Sequence, residues 1–197
     1  MQIDPAALSG QESYHWMTAC LIPRPIGWVS TLSAAGVPNL APFSYFGGVS
    51  SSPMTLMLSV GRRRGEPKDT AANHRATREA VLHIPTRPLA AAMVATSADA
   101  DASVDEFELA GLTAAPSEVV APPRVAEAAI AMETVLRHHM EVGSGPVDMF
   151  LLEVVRLHVR DDLLVDGLPD AARLVAVGRL GGARYCDTSA PFEVQRP

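Results

Sequence analysis

The chain has 197 residues, 22 acidic and 16 basic side chains, a formal net charge of −6 and 48% apolar residues. That length fits one domain over 1–197, with a core that can bury roughly 70% of the unfolded surface. Net negative charge argues against general nucleic-acid binding, which calls for a positive surface, and no apolar run approaches the roughly 20 residues of a membrane span.

The N-terminal residues Met1-Gln2-Ile3-Asp4-Pro5 carry no basic region and no apolar stretch, so no signal peptide is expected. Residues 11–19 read as a short helix that stops before Pro23. Pro23 and Pro25 push the residues before them out of the helical region, so the chain enters the next segment extended. Residues 26–33 read as a strand, 34–38 as a turn, and 39–46 as a returning strand ended by Gly47-Gly48. Residues 54–60 form another apolar strand. Asp69 is the expected N-cap of a helix over 70–79. A strand follows at 80–84, an Ala-rich helix at 88–97, a polar acidic loop at 98–103 and a short helix at 107–112 ended by Gly111.

Strands return after Pro122-Pro123. Residues 128–142 fit a helix by their alanines and glutamates. They fit a strand by the alternation of Ile130, Met132, Thr134 and Leu136 with Ala131, Glu133, Val135 and Arg137, and the alternation favours the strand. Residues 150–159 are β-branched and apolar, hence a strand. A turn at Asp161-Asp162 leads to a short strand at 163–165, and 174–177 reads as the last strand. The expected fold is mainly β with helical insertions, a Greek-key barrel. No Gly-x-Gly-x-x-Gly stands between a strand and a helix, so a Rossmann site is not indicated.

Two segments carry chemistry. In the first, Ser59 and Gly61 lead into a loop with Arg62, Arg63, Arg64 and Lys68, and Thr70 follows at a helix start. Unpaired helix N–H groups, a hydroxyl and cations suit a phosphate. Asp69 is an awkward neighbour for an anion unless it turns away to cap. The same residues also describe a solvated basic loop. In the second, Trp28, Val29 and Phe46 offer an apolar wall, while Thr31, Asn39 and Ser44 offer short donors and acceptors. The backbone beside Ala41-Pro42-Phe43 permits close approach. A flavin ring needs that mixture, although an ordinary half-buried hairpin shows it too. His74, His83, His138, His139 and His158 lack metal-ligand spacing and read as structural or surface groups. Cys20 and Cys186 read as two free thiols of a reducing compartment, with a disulfide between them left open.

The motifs Pro-Arg-Pro-Ile-Gly-Trp-Val-Ser-Thr at 23–31, Asn-Leu-Ala-Pro-Phe-Ser-Tyr-Phe at 39–46, Lys-Asp-Thr-Ala-Ala-Asn at 68–73 and Arg-Leu-Gly-Gly-Ala-Arg-Tyr at 179–185 occur in this order. With them the chain resembles the flavin reductase-like FMN-binding split-barrel proteins. The resemblance implies a homodimer with one FMN per subunit, FAD being the alternative flavin, and NAD(P)H as hydride donor; the cytoplasmic location is the expectation from the thiols and the N-terminus. It further implies that Thr31, Asn39, Ala41, Pro42, Phe43 and Ser44 line the ring and ribityl chain. Ser59, Arg64, Lys68 and Thr70 would hold the phosphate, and Arg179 and Tyr185 would approach the site. Electrons would pass to free flavin or to a partner such as a monooxygenase. A non-catalytic FMN carrier or flavin-storage protein is the alternative. Residues 86–104 carry none of these motifs.

Overall fold

A computed structural model describes residues 1–195. Helix α1 (Gly10–Cys20) begins at a reciprocal cap. The Glu12 N–H donates to the Ser9 hydroxyl, and the Ser9 N–H donates to the Glu12 carboxylate. Only Thr18 of this helix is buried, so Tyr14, Trp16 and Met17 stand exposed. Strands β1 (Arg24–Pro25), β2 (Gly27–Leu32), β3 (Pro38–Phe43), β4 (Phe46–Ser51) and β5 (Met54–Val60) follow, then α2 (Asp69–Thr77) and β6 (Glu79–His83). The middle of the chain holds α3 (Ala90–Ala95), α4 (Glu106–Leu109) and a ribbon of β7 (Ala114–Ala115) with β8 (Arg124–Val125). A long hairpin of β9 (Ile130–Val142) and β10 (Val147–Val159) comes next, then a small ribbon of β11 (Leu164–Val165) with β12 (Leu168–Pro169). Helix α5 (Ala171–Leu174), β13 (Val177–Arg179) and β14 (Tyr185–Asp187) complete the described elements.

Seven strands form one antiparallel sheet in the order β3-β2-β6-β9-β10-β5-β4. The sheet curls on itself. Phe43 of β3 and Leu58 and Val60 of β5, from opposite ends of that order, share one core with Val29, Leu82, Phe150 and Leu152. Just past β3, the Tyr45 carbonyl accepts a bond from the Ser59 N–H at 2.9 Å.

Alternation along β2 sends Val29 into this interior and Trp28 to the outer face. There Trp28 packs with Ile26, Leu40, Met93, Phe107 and Val177. Its indole N–H donates to Thr96 Oγ1 at 2.9 Å, so the polar atom of a fully buried ring is satisfied. A separate three-stranded sheet, β1-β13-β14, pairs Arg24 with Arg179 and so brings the two ends of the chain together.

Several boundaries differ from the sequence expectations. Gly47 and Gly48 lie inside β4; the chain turns one step earlier, at Ser44-Tyr45. The N-cap of α2 is Lys68, and Asp69 is the first helical residue. Its carboxylate pairs with Arg63 at 3.4 Å instead of capping. The helix ends at Thr77 because Arg78 is left-handed (φ 63°), with its N–H on the His74 carbonyl. Residues 174–177 do not make one strand. Asp170 caps the short helix α5, Val175 turns left-handed at φ 50°, and extension begins at Val177. The expectation of a strand at 128–142 holds over Ile130–Val142.

Candidate functional site

The site is built on β3 and the start of α2. Strand β3 is a sheet edge, where Pro42, with no N–H to give, interrupts no ladder. The Leu40 N–H of this edge donates to Glu106 Oε2 at 3.0 Å, so α4 covers it. Asn39 ties the strand to its neighbours. Its side-chain amide donates to Thr31 Oγ1 at 3.1 Å and to Thr70 Oγ1 at 3.0 Å, and the Asn73 amide donates to Thr31 Oγ1 at 3.0 Å. All four side chains are buried, so β2, β3 and α2 are locked around one polar knot. The first N–H groups of α2 receive no side-chain cap.

A cleft of about 390 Å³ opens beside this knot. Asn39, Ala41, Pro42 and Phe43 form one wall and Arg62, Arg63, Lys68 and Thr70 a second. Residues 96–100 and Glu106 close the third. Two of the cations are already engaged. Arg62 pairs with Glu141 at 2.6 Å and faces the buried Asp148 at 3.7 Å, while Arg63 pairs with Asp69 and Asp99. Among the described residues no carboxylate lies within ion-pair distance of Lys68. Its ammonium sits 5.7 Å from the centre of the Phe43 ring. Desolvation, and then the nearby Arg63 guanidinium, push its pKa below the usual lysine value. Burial, reinforced by the charges of Asp69 and Asp105, holds the Glu106 carboxyl above the usual range against the Leu40 hydrogen bond.

A second cleft of about 360 Å³ adjoins the first, sharing Pro42, Phe43 and Ser97. Arg24, Ser44, Met93, Arg179 and Tyr185 line it, with Tyr14 and His15 of α1. Arg24 is buried and held by Thr18 O at 2.6 Å, Leu21 O at 2.8 Å, Ser44 Oγ at 3.3 Å and Leu180 O at 3.3 Å. The first two acceptors are at the C-terminal end of α1, where a cation complements the helix dipole.

Most residues expected from sequence therefore converge. Asn39, Ala41, Pro42, Phe43, Lys68 and Thr70 line the first cleft, and Ser44, Arg179 and Tyr185 line the second. Thr31 is behind Asn39 and acts only through it. Trp28 and Val29 belong to the core and form no ring wall. Ser59 and Arg64 reach neither cleft. Alternation along β5 turns Ser59 away from the interior face of Leu58 and Val60, and Arg64 is exposed in a tight turn at φ 52°. Arg62 and Arg63 of the same loop line the first cleft instead. Glu106, Ser97 and Arg24 are members that sequence reasoning missed; only Arg24 lay inside a motif.

His74 and His83 are buried in structural roles. His83 is buried, with Nδ1 2.9 Å from Trp28 O and Nε2 accepting the Val125 N–H at 3.0 Å, which fixes it as the neutral Nδ1–H tautomer. His74 is on the buried face of α2 with Nδ1 3.2 Å from Thr70 O, one turn back in the same helix. Cys20 and Cys186 are free.

The family model for the flavin reductase like domain matches residues 18–173. The chain belongs to this family. It is 38% identical to an uncharacterized protein of Halalkalibacterium halodurans, over 100% of this chain and 97% of that one. Its structure superposes on nitrilotriacetate monooxygenase component B from Bacillus cereus with a TM-score of 0.95 at 36% identity, covering 98% of each chain. A protein from Shewanella frigidimarina NCIMB 400, described as a flavin reductase with a split barrel domain, superposes at 0.84 with 21% identity, covering 98% of this chain and 95% of that one. The fold is thus the split barrel of flavin reductase-like proteins. The donor set suits a flavin mononucleotide: an ammonium with no carboxylate partner among the described residues and an uncapped helix start at one end, and the small side chains of Ala41 and Pro42 along the wall. No helix among the described residues is long and apolar enough to cross a membrane.

Proposed function

We propose that this protein is an FMN-dependent oxidoreductase that takes hydride from NAD(P)H and passes electrons to free flavin or to a partner such as a monooxygenase. One observation carries the reading: the free Lys68 ammonium, the Thr70 hydroxyl and the uncapped start of α2 lie together at the cleft walled by residues 39–43. The similarity to a monooxygenase component B supports a partner of that kind. Bound FMN would supply the redox chemistry, accepting hydride and releasing electrons.

The chain's part is binding and positioning. Lys68 and the α2 N–H groups hold the phosphate, joined by Arg62 and Arg63 from the loop. Asn39 spends its amide protons on two threonines, which leaves its carbonyl oxygen free to accept a hydroxyl of the ribityl chain. Ala41 and Pro42 let the ring edge approach the backbone, and Phe43 excludes water. Glu106 keeps the strand edge in place through Leu40. The cleft is of mononucleotide size, which favours FMN over FAD. Exposed Tyr14, Trp16, Met17 and Leu21 on and beside α1 offer an apolar face to a second copy, which supports a homodimer as the working form.

The test is direct. The purified protein is expected to be yellow, or to take up added FMN, and to bleach when mixed anaerobically with NADH or NADPH. A colourless protein that binds no FMN refutes the proposal. A yellow protein left unbleached by both donors is the carrier or storage form instead.

A further inference from the structure

We infer that the second cleft binds a small planar carboxylate, a single unsaturated ring carrying one carboxylate group, with Arg179 as the anion-holding side chain. As a reactant, this molecule would meet bound FMN at the shared wall of Pro42, Phe43 and Ser97, and in that role the inference rests on the function proposed above.

Charge makes the case first. The cleft is lined by two arginines, Arg24 and Arg179, and by no aspartate or glutamate, whereas the first cleft contains Asp69, Asp99 and Glu106. Seven arginines elsewhere pair with carboxylates (Arg62, Arg63, Arg75, Arg87, Arg137, Arg156 and Arg160), while Arg64, Arg78, Arg124, Arg173 and Arg184 have no such partner among the described residues and line neither cleft. Among the described residues, neither Arg24 nor Arg179 has such a partner. Arg24 is compensated by the carbonyls of Thr18 and Leu21 at the end of α1. Arg179 has only the Tyr185 hydroxyl and the Gly182 carbonyl, the latter at 2.6 Å.

Geometry adds direction. The Arg179 guanidinium lies 4.6 Å from the centre of the Tyr185 ring, and each terminal nitrogen spends one N–H, on the Tyr185 hydroxyl or the Gly182 carbonyl, which leaves its second N–H for a carboxylate. Its Nε N–H has no acceptor among the described residues. Ile26, Phe43, Met93 and Tyr185 supply apolar faces for a ring. A cleft of about 360 Å³ has room for one ring and its substituent and none for a whole dinucleotide.

Titration calorimetry on FMN-supplemented protein tests this with benzoate, benzamide and inorganic phosphate as probes. Benzoate is expected to bind at least tenfold more tightly than benzamide. Arg179→Gln should bring benzoate down to the level of benzamide, Arg179→Lys should restore part of the preference, and phosphate should not displace benzoate. Equal affinity for benzoate and benzamide, a preference that survives in Arg179→Gln, or displacement by equimolar phosphate would each overturn the assignment. Flavin content, read by absorbance in the same samples, separates the two readings. FMN-loaded protein without the preference refutes the carboxylate site alone. Flavin-free protein that keeps the preference refutes the FMN function alone.

Discussion

Asn39 and Lys68 show how single residues divide the work of this site. Asn39 satisfies Thr31 and Thr70 from inside the protein, while Lys68 has no carboxylate partner among the described residues. Lys68→Ala is expected to weaken FMN binding at least tenfold, about 1.4 kcal/mol, and to leave riboflavin binding unchanged. Parallel fluorescence titrations with the two flavins check this, and an equal loss for both would remove Lys68 from the phosphate site. Asn39→Ala should cost about 1–3 kcal/mol of unfolding free energy, because it strands buried hydroxyls, and urea denaturation measures that. At this scale the sequence was informative where residue type suffices: a hydroxyl at a helix start, a cation before it, an amide among threonines. It misplaced Ser59 and Arg64 because one strand alternation and one left-handed turn decide where they point. Glu106 was invisible, since its partner Leu40 lies 66 positions away in the chain.

The hairpin of β9 and β10 carries the element-scale logic. Residues 130–142 contain good helix formers, yet the strand wins because its first half lies between β6 and β10 and is buried on both faces, without a break from Ile130 to Thr134. Glu133 is fully buried there. Its carboxylate accepts the N–H groups of Glu118 at 2.8 Å, Val119 at 2.7 Å and Val120 at 3.2 Å, and touches His158 Nε2 at 2.6 Å. Burial pushes its pKa up, but the Glu118 N–H, the His158 ring and the Val119 N–H outweigh that and hold it below the usual glutamate value. A lowered folded-state pKa means that this stabilisation is present above about pH 4.5 and fades as pH falls. Glu133→Gln should cost about 1–3 kcal/mol and speed amide exchange at residues 118–120 first. Unchanged exchange there would show that the loop holds itself. The alternation that revealed the strand could not reveal this anchor, because a glutamate on the pattern reads as solvent-facing until a loop is seen to cover it.

For the whole molecule, pH and association are the informative variables. Burial lowers the pKa of both His74 and His83 to about 4, despite backbone bonds to Thr70 and Trp28 that favour the charged form. Above about pH 6.5 neither histidine contributes, since both are neutral folded and unfolded. Between about 6.5 and 4 only the unfolded chain takes up the protons, so stability falls by roughly 1 kcal/mol per pH unit for each. Urea midpoints measured across that range should fall, and His83→Gln should flatten part of the slope if it folds. Sedimentation is expected to give twice the 20.9 kDa of one chain, and a monomer at micromolar concentration would refute the dimer.

By itself the sequence determined the class of fold and the family, and through them the ligand proposed. Strand periodicity, turn residues and the four ordered motifs are local chemistry, and local chemistry is readable without coordinates. Tertiary structure decided which cations face the cleft, what guards the β3 edge and how Arg179 comes beside Arg24. Those facts depend on the direction of side chains and on pairings between residues far apart in the chain, which no local pattern encodes.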